Sequence, residues 1–230
     1  MISSIKLRRQ QSEANIASDK HFPEYKDQLA VLPTGSGKSI LMVHRVEEHL
    51  KKHGGAAVIL SPIVKVNDQL LKTFRNISDL KTEYLSQTKH IFSYADVYIG
   101  TVQSTLSEEY QRMSKGLIKG NVSILILDEA HIGTQWYDPI LELVPEDCLV
   151  LRLTATPYKE NKWGFPDSKL VYSCSMREMI DDGHLVEPDL IQVAYPSNDP
   201  VDICKHITKI YLAKEKGNKA VVYWLSLIHI

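Results

Sequence analysis

The stretch Leu32-Pro33-Thr34-Gly35-Ser36-Gly37-Lys38-Ser39 carries the residue types that can hold a polyphosphate. Gly35 and Gly37 lack the Cβ atoms that would keep a backbone away from an anion, so successive N–H groups of a turn through Thr34, Gly35, Ser36 and Gly37 can converge on one phosphate. Lys38 adds a point charge for the β- and γ-phosphates, and Ser39 a hydroxyl for Mg²⁺. The pattern G-x-x-x-x-G-K-[ST] asks for glycine at position 32, where this chain has Leu32. The two cradle glycines and the Lys-Ser pair are untouched by that departure. A second group, Asp128-Glu129, ends the apolar run Val122-Ser123-Ile124-Leu125-Ile126-Leu127. One carboxylate of such a pair can hold Mg²⁺ through water while the other orients and deprotonates an attacking water. Together the two groups are what hydrolysis of a nucleotide needs, with Lys38 and Glu129 as the catalytic side chains and Ser39 and Asp128 as the Mg²⁺ ligands.

These residues need elements to position them. Leu29-Ala30-Val31-Leu32 is an apolar strand entering the glycine turn, and Ser39 to Leu50 has apolar residues at helical spacing, which places a helix N-terminus beneath the phosphates. Gly54-Gly55 stops that helix, and Ala56-Ala57-Val58-Ile59-Leu60 is a short run of the kind a parallel sheet buries on both faces. The spacing predicts helices over Leu7–Ala17, Val64–Phe74, Ser107–Ile118, Met176–Gly183 and Asp202–Lys216, and strands over Ala95–Gly100, Leu149–Leu153, Lys169–Ser173 and Lys219–Trp224. In the first helix Leu7, Ala14, Ile16 and Ala17 are expected on the buried side. Tyr158 to Ser168 reads as a loop. Alternating strands and helices imply an α/β fold, a doubly wound and mostly parallel sheet whose ligands sit at the carboxyl ends of the strands. The glycine turn, Asp128-Glu129 and Thr154-Ala155-Thr156 each follow a strand, so they should share one edge.

The chain has 230 residues, 43% of them apolar, enough for one full core and the start of another. Its formal net charge of −1 announces no basic field for nucleic acid as a whole, although one face can still be basic. Cys148, Cys174 and Cys204 form no C-x-x-C pair and suit a reducing cytoplasm. No run approaches the ~18 apolar residues of a membrane helix, so no membrane partner is expected. Residues 1–175 are expected to form the ATP-binding domain, residues 176–200 a connector rich in turn formers, and residues 201–230 the beginning of a second domain whose remainder is missing. The tail Leu225-Ser226-Leu227-Ile228-His229-Ile230 resembles the translated read-through of a sequencing adapter.

The set of motifs resembles a superfamily-2 helicase or translocase of the DEAH-box and restriction-enzyme motor type. Leu32 to Ser39 is similar to its motif I, Asp128-Glu129-Ala130-His131 to motif II and Thr154-Ala155-Thr156 to motif III. The resemblance gives His131, Thr154 and Thr156 the coupling of hydrolysis to motion. Leu7-Arg8-Arg9-Gln10-Gln11-Ser12-Glu13-Ala14 is similar to the family's leading adenine-reading segment, with Gln11 at the glutamine position and Arg9-Gln10 where a proline and an aromatic are usual. Ser61-Pro62 with Gln69 resembles motif Ia, and Thr101-Val102-Gln103-Ser104 motif Ib. In the family these line the nucleic-acid track and touch phosphates rather than bases. The implied fold is RecA-like, the implied partner nucleic acid, DNA more than RNA, and the implied mechanism an ATP-driven opening and closing of a cleft between two such domains.

Overall fold

A computed structural model describes residues 5–85, 94–103, 121–132, 137–159, 162–188 and 199–214. The helix expected over Ser107–Ile118, the strand expected over Lys219–Trp224 and the tail 225–230 lie outside the described residues. The chain divides into two compact units, Met1–Val186 and Glu187–Ile230.

The first unit runs α1 (Arg9–His21), β1 (Asp27–Val31), α2 (Lys38–His53), β2 (Ala56–Ser61), α3 (Val64–Ile77), β3 (Thr82–Leu85), β4 (Val97–Thr101), β5 (Val122–Leu127), α4 (Asp138–Leu141), β6 (Leu149–Thr154), β7 (Tyr158–Lys159), β8 (Lys162–Trp163), β9 (Lys169–Ser173) and α5 (Met176–Asp181). In the second unit α6 spans Pro200–Lys214. Seven strands form one sheet in the order β3-β4-β2-β5-β6-β1-β9. Every pairing in that sheet is parallel. The fold is therefore the doubly wound α/β class that the alternation implied.

Parallel strands buried on both faces explain the apolar runs. Val58, Leu60, Leu125, Leu127 and Val150 point into one apolar layer with Tyr137, Ile140 and Phe165. Their neighbours Ala57, Ile59, Ile124, Ile126, Leu149, Leu151 and Leu153 point into the other, against Leu41, Met42 and Val46 of α2 and Leu70 and Phe74 of α3. Each fully buried Leu or Ile contributes about 1.5–3 kcal/mol, so the two layers fix the strand ends firmly. Register does the rest: Val31 lies beside Thr154, and Leu127 beside both Leu60 and Arg152. The glycine turn after β1, the acidic pair after β5 and the threonines ending β6 consequently share the carboxyl edge of three adjacent strands.

Two local expectations are corrected and two elements are added. Ile16 is 64% exposed, while the buried face of α1 consists of Gln10, Gln11, Ala14, Asn15 and Ser18. That face is largely polar because its partners are polar: Gln11 meets backbone carbonyls of the glycine turn, Gln10 meets Asp182 and Ser18 meets Gln28 of β1, while Ala14 joins the apolar layer. Residues 158–168 are not wholly loop, since Tyr158–Lys159 and Lys162–Trp163 pair as a short antiparallel hairpin. The edge strand β3 and the single-turn helix α4 are additional elements, too short and too mixed in polarity to show periodicity.

Candidate functional site

The glycine turn takes the backbone shape its sequence permits. Gly35 and Gly37 have φ of 84° and 81°, in the left-handed region that glycine enters without strain, and Gly37 is the residue from which α2 starts. A Cβ added at Gly37 would lie 2.4 Å from Gln11 Nε2. The turn is held from outside by α1. Gln11, 3% exposed, donates through Nε2 to Ser36 O at 2.9 Å and to Gly37 O at 3.1 Å, and its Oε1 accepts from Arg8 N at 3.0 Å. Arg8 Nη1 donates to Gly35 O at 3.1 Å. Ser36 N donates to Pro33 O at 3.2 Å and Ile40 N to Gly37 O at 3.0 Å, which leaves the N–H groups of Gly35, Gly37, Lys38 and Ser39 for an anion. Thr34 is exposed, Ser36 is buried with an unpartnered hydroxyl, and Ser39 is half-buried in the first turn of α2.

Lys38 Nζ reaches across to Glu129 Oε1 at 3.2 Å, joining the two motifs. Glu129 has φ of 49°, the single positive value at a non-glycine among the described residues. Left-handed backbone at such a residue costs roughly 1–3 kcal/mol and persists where surrounding contacts fix it. Those contacts are present. Glu129 N donates to Asp128 Oδ1 at 3.0 Å, Ala130 N to Leu153 O at 2.9 Å and Ile132 N to Glu129 O at 2.9 Å. The buried Tyr137 hydroxyl donates to Ile132 O at 3.1 Å. Burial pushes that phenol up to about 12, so it stays a donor.

Asp128 is 4% exposed, and its carboxyl is pushed up to about 6, first by burial and then by Glu129, with Lys38 and the Glu129 N–H pulling the other way. A desolvated oxygen donor of this kind, beside the Ser39 hydroxyl's helix end, suits a hard, oxygen-seeking divalent cation such as Mg²⁺. In the same turn, His131 Nδ1 lies 3.6 Å from Glu129 Oε2 and 2.9 Å from Oγ1 of Thr154, at the end of the neighbouring strand β6. Thr154 Oγ1 accepts from Thr156 N at 3.0 Å. The motifs at positions 128–131 and 154–156 are thus one hydrogen-bonded unit.

The expected track residues lie elsewhere on the same edge. Ser61 and Thr101 are register partners at the ends of β2 and β4, both buried, while Gln69 and Gln103 are exposed and Pro62 is half-buried. Four contributors were not singled out as site residues from sequence: Arg8, Tyr137, Asp182 and Leu185. Arg8 stands in the leading segment and carried a signal of type. Asp182 and Leu185 reach residues remote in the chain, and Tyr137 bonds Ile132 O only five residues back, but no periodicity or motif in the sequence marks any of the three.

Residues 4–159 match the family model described as Type III restriction enzyme, res subunit. The chain belongs to that family. Its superfamily-2, RecA-like character agrees with the relatives. It is 28% identical over 140 residues to the ATP-dependent DNA helicase Hel308 of Pyrococcus horikoshii, a match covering 56% of this chain and 19% of that protein. The fold resembles the UvsW helicase of bacteriophage T4, with a TM-score of 0.57 at 18% identity over 74% of this chain and 60% of that one. It also resembles the ATP-dependent Type ISP restriction-modification enzyme LlaBIII bound to DNA, with a TM-score of 0.60 at 17% identity over 79% of this chain and 16% of that one. The chain spans about a fifth of the length of the curated helicase it matches. No helix among the described residues is long and apolar enough to cross a membrane.

Proposed function

We propose that this chain is the ATP-binding half of a nucleic-acid motor that acts on DNA. One observation carries the reading: the phosphate turn, the acidic pair and the paired threonines meet at one sheet edge, with Lys38 on Glu129 and His131 on Thr154. In the free protein Lys38 is neutralised by Glu129. A triphosphate would take Lys38 from that partner and leave the Glu129 carboxylate beside the γ-phosphate, free to orient and deprotonate water. Ser39 and Asp128 would hold Mg²⁺, which supplies charge neutralisation of the phosphates when bound. His131, bonded to Thr154 and close to Glu129, connects the state of the carboxylate to β6.

The preference for DNA rests on what the relatives are named as binding or unwinding. Ser61, Pro62, Gln69, Thr101 and Gln103 are assigned to phosphate contacts along the strand, as positioning rather than base-reading groups. Residues 176–200 are read as a connector and 201–230 as the opening of a second RecA-like domain. The test is binding of a fluorescent ATP analogue with Mg²⁺, followed by phosphate release with and without single-stranded DNA. Saturable binding that Lys38→Ala removes while far-ultraviolet circular dichroism is unchanged supports the nucleotide site. Crosslinking to single-stranded RNA in preference to DNA would overturn the choice of strand.

A further inference from the structure

Four successive residues at the start of α1 divide their side chains between two partners. Arg8 and Gln11 hold the carbonyls of Gly35, Ser36 and Gly37. Between them in sequence, Arg9 and Gln10 turn to the end of α5. Arg9 donates to Asp182 Oδ2 through Nη2 at 2.7 Å and Nε at 3.1 Å, and the fully buried Gln10 donates to the same oxygen through Nε2. One turn on, Glu13 accepts from Arg9 Nη1 at 3.1 Å and from Tyr172 of β9 at 2.8 Å. The α5 end is itself fixed. Gly183 turns the chain with φ of 72°, and His184 N and Leu185 N both donate to Met179 O, at 2.9 and 3.0 Å. This brings Leu185 over the phosphate turn, where its Cδ2 would be 2.8 Å from a Cβ placed on Gly35.

Helix α1 has no acidic residue in its own first turn, and its start is capped by the Gln11 side chain, whose Oε1 accepts from Arg8 N at 3.0 Å. Asp182, from a segment remote in sequence, accepts from the side chains of the first two helical residues, Arg9 and Gln10, and so anchors that start from outside the helix.

We propose that Asp182 is a positioning residue for nucleotide binding: by gripping Arg9 and Gln10 it keeps Arg8 and Gln11 on the phosphate-turn carbonyls, and so keeps the turn's N–H groups aimed at the triphosphate. The inference rests on the ATP site proposed above. It also gives a role to Arg9 and Gln10, which stand where the resembled family usually has a proline and an aromatic.

The test measures affinity of the 230-residue chain for the fluorescent ATP analogue with Mg²⁺, well below the melting temperature, in Asp182→Ala, Arg9→Leu and the swapped pair Arg9→Asp with Asp182→Arg. A lost partly exposed, charge-assisted contact should weaken binding about threefold to tenfold in either single variant. The swapped pair should recover most of that loss, a rescue that lost packing alone would not produce. If Asp182→Ala fails to fold, Arg9→Leu, on the more exposed side of the contact, carries the measurement with the swapped pair. Wild-type affinity in the single variants, with Lys38→Ala still abolishing binding, would overturn the positioning role and leave the ATP site standing. No binding by the wild-type chain would remove the reading on which the role depends.

Discussion

Asp128→Asn should make the nucleotide-free protein more stable at neutral pH. The carboxyl of Asp128 is pushed from an ordinary 3.8 up to about 6, with burial the largest cause and the adjacent Glu129 the next. Each pH unit of such displacement corresponds to ~1.4 kcal/mol, so ionising Asp128 in the fold costs about 2–3 kcal/mol. The sign follows from proton counts. Below pH 4 both folded and unfolded chains carry the proton and there is no penalty. Between about 4 and 6 the unfolded chain has lost it while the folded one retains it, so stability falls as pH rises. Above about 6 the penalty is complete. An asparagine keeps an oxygen for the Glu129 N–H, now 3.0 Å from Asp128 Oδ1, and brings no charge. For a domain of this size 2–3 kcal/mol is roughly 5–10 °C in melting temperature. Melting curves of both proteins from pH 4 to 8, in EDTA without nucleotide, should therefore diverge as pH rises and run parallel above about pH 6.5. A variant that melts at or below wild type at pH 8 would refute the reasoning, as would a difference that is largest at pH 4.

The remaining predictions concern the turn and its neighbours. Glu129→Gln should retain nucleotide binding and lose phosphate release, because the amide can orient water but cannot take its proton; unchanged release would remove Glu129 as the base. Gly37→Ala should destabilise the fold by about 1–2 kcal/mol and weaken nucleotide binding, since φ of 81° disfavours any Cβ and Gln11 Nε2 occupies its place; urea titration and analogue binding check both effects. Thr154→Val removes the hydroxyl shared by His131 and Thr156, and should lower turnover by about threefold to tenfold with little change in nucleotide affinity, read as a kcat effect without a KM effect.

Much of this molecule was legible in its residues because its chemistry and its packing follow short-range rules. The runs Ala56–Leu60 and Val122–Leu127 announced a parallel sheet, since only strands buried on both faces need unbroken apolar sequence. The glycine turn was legible for the same reason, because few sequences other than Gly-x-Gly-Lys-Ser place a backbone so close to an anion. What could not be read was long range. Hydrophobicity puts Leu7, Ala14, Ile16 and Ala17 on the buried side of α1, and Ala14 is buried there, but Ile16 is exposed, because carbonyls at Ser36 and Gly37 and a carboxylate at Asp182 favour Gln10 and Gln11 on that face. Tyr137 carries no motif or periodicity that marks it, and its hydroxyl reaches Ile132 O, five residues back, to pin the acidic turn. The lift in the Asp128 carboxyl likewise comes from burial at a sheet edge, which no spacing of residues records.

The central claim is that the edge shared by β1, β5 and β6 binds a nucleoside triphosphate through Lys38. The most direct measurement is the affinity of the wild-type chain and of Lys38→Ala for the fluorescent ATP analogue, with Mg²⁺ or with EDTA, with circular dichroism recorded on the same samples. The account predicts saturable Mg²⁺-dependent binding in the wild type and its loss in Lys38→Ala, with both spectra the same. Equal affinity in the two folded proteins would contradict it.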